Sequence, residues 1–69
     1  MPPSANDRDI RIIVVDDDPI VRDAIATALK GAPGIEVVAT AENGADAVSI
    51  VHERTVDVVL MDVQMPILD

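Results

Sequence analysis

The sequence predicts an α/β fold organised on a parallel sheet. Three observations point there. Strand-sized β-branched runs alternate with segments of helical periodicity, two of those runs end in aspartate, and the same two are almost continuously apolar. Strands of a parallel sheet are buried on both faces and read in that way. The order strand, helix, strand, helix, strand implies right-handed crossovers and a parallel sheet.

Met1 to Asp9 holds prolines, small polar residues and charges without periodicity, and reads as a flexible N-terminal arm. From Ile10 the run Ile10, Ile12, Ile13, Val14, Val15 is broken only by Arg11, which suits a central strand. It stops at Asp16-Asp17-Asp18-Pro19. Asp18 can accept from the free N–H groups of a helix start, and Pro19 suits the first helical position. Val21, Ala24, Ile25, Ala28 and Leu29 recur at i, i+3, i+4, i+7 and i+8 and are expected to form the inward face. Gly31 is expected to close the helix as a C′ glycine, with Pro33 behind it.

Ile35 to Ala41 alternates in part, with Glu36 near its start, which fits an edge strand. Asn43-Gly44 could form a hairpin turn, but the residues after it do not read as a strand. Asn43 reads better as a helix cap, with Asp46 in the place of a capping-box acid. Gly44, Ala47, Val48 and Val51 share a face of this second helix, which runs to about Arg54. The third strand is Val56–Met61, and Asp62 comes directly after it.

Composition bounds the function. Sixty-nine residues make one domain at most. Thirteen acids against five bases give a formal charge of −8, which repels nucleic acid and anionic lipid and favours cations. There is no Phe, Tyr or Trp, so the core is aliphatic and the stacking platforms of single-strand binders are missing. Direct nucleic-acid contact is not expected. The absence of cysteine excludes a disulfide framework and suits a cytoplasmic location. Neither a signal peptide nor a membrane-length apolar run is visible.

The chemistry gathers at strand ends. If the first strand lies between the other two, the crossovers fall on opposite faces and create a switch point at its carboxyl end. Asp16, Asp17 and Asp62 would then converge. No basic residue adjoins them in sequence, so a hard divalent cation is the natural counter-charge. Mg²⁺ takes oxygen ligands, commonly one or two carboxylates with waters and phosphate oxygens. Asp62 would be the nucleophile toward a phosphoryl donor. The plainer alternative is that Asp16 to Asp18 form only a helix cap and a solvated turn.

Three blocks, Ile12-Ile13-Val14-Val15-Asp16-Asp17-Asp18-Pro19, Ala41-Glu42-Asn43-Gly44 and Val58-Val59-Leu60-Met61-Asp62-Val63-Gln64-Met65-Pro66, together resemble the receiver domain of two-component response regulators. The resemblance covers Ile10 to Asp69. It implies a flavodoxin-like receiver fold, here a partial, truncated doubly wound parallel sheet in strand order 2-1-3. It also implies roles. Asp62 would accept a phosphoryl group from a histidine kinase. Asp16, Asp17, Asp62 and the backbone carbonyl of Gln64 would hold Mg²⁺, and Pro66 would shape the following loop. Such a chain is a phosphoacceptor regulatory domain rather than an enzyme. The Asp-Pro helix start with Val21 and Arg22 looks closest to regulators that control transcription.

The family's fourth and fifth strands, with a Ser or Thr and a Lys at their ends, have no counterpart before Asp69. Lys30 lies at the wrong end of the first helix to replace that Lys. The 69 residues are therefore expected to be switching-defective and to self-associate as a homo-oligomer through the third strand. Two alternatives stand beside this. One is a chemically silent receiver half that only self-associates. The other is a haloacid-dehalogenase-like phosphatase with Asp16 as nucleophile and Asp18 as general acid, although Ile20 replaces that family's Thr or Val. His52, near the end of the second helix, reads as a dipole-complementing residue rather than a phosphotransfer group.

Overall fold

The computed structural model describes residues 9–61. Strand β1 (Ile10–Val15) leads to helix α1 (Pro19–Lys30), strand β2 (Ile35–Ala41), helix α2 (Gly44–Glu53) and strand β3 (Val58–Met61). The three strands form one parallel sheet in the order β2-β1-β3. The expected α/β class and the 2-1-3 order are both present. The N-terminal arm falls almost wholly outside the described residues.

β1 is central because its side chains can be covered on both faces. Ile12 and Val14 pack with Ile25, Ala26 and Leu29 of α1, and with Ile35 and Val37 of β2. Ile13 and Val15 pack against Ala47 and Ile50 of α2, together with Val38, Ala39, Ala41 and Val56. Strand alternation thus sends successive β1 residues to different helices. The helices lie on opposite faces of the sheet, which makes the end of β1 a switch point.

The β1–β2 ladder contains an irregularity. Ile12 pairs with Val37, but Ile13 pairs with Ala39, so Val38 is passed over. This β-bulge leaves the Val38 carbonyl to the Arg54 guanidinium, which donates to it.

Both helices start as the sequence suggests. Asp18 Oδ1 accepts from the N–H groups of Ile20 at 2.9 Å and Val21 at 3.3 Å, with Pro19 opening α1. Asn43 Oδ1 accepts from Asp46 N at 2.8 Å and caps α2, so Asn43-Gly44 is a helix start and not a hairpin.

Four expectations are corrected. The inward face of α1 is Arg22, Ile25, Ala26 and Leu29, while Val21, Ala24 and Ala28 are exposed. The same i, i+3, i+4, i+7 spacing fits both stripes, and Arg22 hides the true one because it is charged. On α2 the stripe splits: Ala47 is buried and Ile50 joins the core, whereas Val48 and Val51 are exposed. Gly31 ends α1 at φ −84°, in the right-handed region, and Gly34 (φ +83°) takes the left-handed conformation. Pro33 separates them, and the chain reverses toward β2 only after it. Finally, β3 begins at Val58, not Val56. Val56 turns into the core beside α2, and Asp57 uses its side chain in place of a ladder carbonyl.

Candidate functional site

The carboxyl end of β1 is held from three directions. Asp16 N donates to Ala41 O of β2 at 3.1 Å, which prolongs the ladder one step past the strand. Asp16 Oδ1 accepts from Asp18 N at 2.8 Å, an Asx turn that bends the chain into α1. The Asp16 carbonyl accepts from Arg22 Nη1 at 3.0 Å. Asp16 is 3% exposed, the only buried charged residue among those described. A carboxylate so enclosed needs donors, and the Asp18 N–H supplies one of them.

Asp17 differs: its residue is exposed at the mouth of the same turn. Asp18 is spent on the cap of α1. The acid run therefore divides its labour, with one residue buried and fixed, one open to solvent and one capping. The cap reading holds at Asp18, and the open carboxylate of the run is that of Asp17.

Val15 pairs in register with Ala41 on one side and Met61 on the other. The residues directly preceding Asp16 and Asp62 are thus lateral neighbours. Asp62 and Gln64, with Met65 and Pro66, lie outside the described residues. Among the described residues no three carboxylate or imidazole groups converge as a metal centre. Asp16 and Asp17 supply hard oxygen donors at one strand end, one of them exposed, and this donor set fits Mg²⁺, which needs few protein ligands. Lys30 sits in the last turn of α1, at the opposite end from Asp18.

Arg22 is the residue that sequence reasoning missed. No base adjoins the acids in the chain, yet the first turn of α1 returns the Arg22 guanidinium to the Asp16 carbonyl. Spacing could have found it: Arg22 heads the stripe that continues through Ile25, Ala26 and Leu29, so it starts on the inner face. No helix of the described residues is long and apolar enough to cross a membrane.

Comparison with known proteins places this geometry. The model of the response regulator receiver domain matches residues 12–69. A protein-glutamate methylesterase/protein-glutamine glutaminase of Rhodospirillum centenum is 39% identical over 67 residues, covering 97% of this chain and 17% of that protein. One from Anaeromyxobacter dehalogenans is 43% identical over 67 residues, covering 97% of this chain and 19% of its own length. The signal receiver domain of the putative response regulator NarL from Mycobacterium tuberculosis superposes with a TM-score of 0.79 at 34% identity. That match covers 90% of this chain and 50% of the solved one. The chain spans less than a fifth of the curated relatives and half of the solved receiver. With a family match over residues 12–69 and a sheet whose β1 ends in the paired acids, the chain belongs to the response regulator receiver domain family.

Proposed function

We propose that the chain is a phosphoacceptor of two-component signalling, in which Asp62 receives a phosphoryl group from a histidine kinase with Asp16 and Asp17 holding Mg²⁺. The observation that carries it is the register of Val15 with Met61, which sets the ends of β1 and β3 side by side. A carboxylate oxygen of Asp62 would attack phosphorus in line. The phosphorus–nitrogen bond to the donor imidazole breaks, and its electron pair returns to the ring. Mg²⁺, when bound, would offset charge on the phosphoryl oxygens. Asp17 offers the open carboxylate, Asp16 the fixed one, and the Gln64 carbonyl a further oxygen.

Residues 10–69 act in this scheme as the N-terminal part of a receiver, regulatory and cytoplasmic, with 1–9 as an arm. Transcriptional output fits the Asp-Pro start of α1, whereas the curated relatives above are methylesterases/glutaminases by name. Phosphoacceptance by residues 10–69 is common to both outputs. The phosphatase alternative is disfavoured by the burial of Asp16 and the capping role of Asp18.

The test is incubation with Mg²⁺ and acetyl phosphate, borohydride trapping of the acyl phosphate, and peptide mass mapping. Modification at Asp62 is expected. Modification at Asp16, or at neither residue, overturns the assignment.

Self-association is a second proposal, supported by one feature. β3 pairs with β1 alone among the described residues, and its four side chains are 41–44% exposed. An open apolar groove of about 450 Å³ between α2 and β3 is lined by Ala47, Val48, Val51, Val59 and Met61. An unpaired apolar edge is a template for another strand, and a second copy of the chain carries the same edge.

A further inference from the structure

We infer that Arg22 is a positioning residue for the divalent-cation site: it fixes the peptide between Asp16 and Asp17 through its hydrogen bond to the Asp16 carbonyl. The assignment rests on the metal-dependent phosphoacceptor function proposed above and extends it to a residue that touches neither metal nor phosphoryl group.

Arg22, itself half-buried, occupies the head of the inward stripe of α1, where half-buried Ile25, buried Ala26 and half-buried Leu29 are the next members. An apolar side chain would be the ordinary occupant of that place. Its backbone is tied to the same turn, since Arg22 N donates to Asp18 O at 2.9 Å. Its side chain then returns six residues to Asp16 O at 3.0 Å. The bond is part-buried, and a charged donor strengthens it.

That carbonyl belongs to the peptide plane leading into Asp17. The Asp16 N–H is held by Ala41 and its side chain by Asp18 N, and of the three bonds only the one from Arg22 acts on the plane leading into Asp17. The direction in which Asp17 leaves the turn is set by that plane. Arg22 therefore orients the open carboxylate without binding anything itself.

The sign of one measurement decides the matter. A guanidinium near a cation site repels the cation, so charge alone predicts that removing Arg22 tightens binding. Positioning predicts the reverse. Mn²⁺, a hard cation with a paramagnetic signal, serves as the probe and is titrated against the full chain by electron paramagnetic resonance. Arg22→Met, which keeps the apolar stem, is expected to weaken Mn²⁺ binding about tenfold, the lower end for outer-shell partners of a metal site. Arg22→Lys, which can still reach a carbonyl oxygen, is expected to recover most of that loss.

Unchanged or tighter binding by Arg22→Met overturns the inference and leaves the phosphoacceptor function standing. Failure of the unsubstituted chain to bind Mn²⁺ overturns both. Circular dichroism establishes that each variant is folded. Should Arg22→Met unfold, Arg22→Gln, which also removes the charge, takes its place: a loss of about tenfold in the folded Gln variant supports positioning, and unchanged or tighter binding overturns it.

Discussion

Arg11 and Asp57 exchange two hydrogen bonds at the entrance of β3. Arg11 N donates to Asp57 Oδ2 at 2.8 Å, and Asp57 N donates to Arg11 O at 2.8 Å. A carboxylate thus stands where a strand carbonyl would stand, and β3 starts one residue later. Asp57→Ala removes the acceptor for Arg11 N and is expected to cost about 0.5–1.5 kcal/mol, because the site is exposed and water can replace the bond in part. Asp57→Asn keeps an acceptor oxygen and should lie within half of that loss. Urea unfolding of the two variants provides the comparison, and equal losses would contradict the side-chain role.

At Gly34 the backbone, not the space, sets the tolerance. An added Cβ meets nothing within 4 Å, yet φ is +83°. Gly34→Ala should therefore destabilise by about 1–2 kcal/mol, the cost of a left-handed residue bearing a Cβ. Gly34→Asn should be milder, since Asn tolerates that conformation. Thermal melts that ranked Ala above Asn would contradict the backbone explanation.

Asp17 and Asp16 should respond differently to loss of charge. Asp17→Asn is expected to lower divalent-cation affinity by at least about tenfold with little change in stability, because the residue is exposed. Asp16→Ala should destabilise the fold as well: it deletes the acceptor of the Asp18 N–H inside a part-buried turn, at about 1–3 kcal/mol. Calorimetric Mg²⁺ titration paired with urea denaturation separates the two effects.

A lysine on the open strand should suppress association. Leu60→Lys is expected to shift the sedimentation profile from dimer to monomer, as charged edge residues block strand addition. A parent chain that is already a folded monomer at micromolar concentration would remove the proposed interface.

Much of this arrangement is legible in the residues themselves. The apolar run of β1, the Asp18-Pro19 cap and the Asn43 cap are local signals that tertiary packing has no cause to override. The partial alternation of β2, with Glu36 near its start, agrees with its edge position. Other features depend on contacts between elements and leave no local mark. The inner face of α1 is hidden because a charged residue begins it, and Arg22 is inward only because the Asp16 carbonyl waits there. The length of β3 turns on Asp57, whose carboxylate competes with the ladder. Gly31 and Gly34 are equally permissive in sequence, and only the path around Pro33 decides which of them adopts the unusual φ. Asp62 and Gln64 rest on the resemblance and on the register of Val15 with Met61.

The bulge at Val38 has a consequence for how β2 tolerates changes of length. Ile35 and Val37 face α1, whereas Ala39 and Ala41 face α2, although all four have the same parity. The extra residue resets the alternation halfway along the strand. Deleting Val38 would leave Val37 opposite Ile12 and Ala39 opposite Ile13, so both halves would keep their helices, and the losses would be confined to Val38 itself: its packing on the α2 side and the carbonyl held by Arg54. An insertion nearer either end of β2 has no such outlet, because a one-residue slip inverts every side chain beyond it. Val38 is thus a phase marker, the one place in the strand where a residue can be removed without exchanging inside for outside.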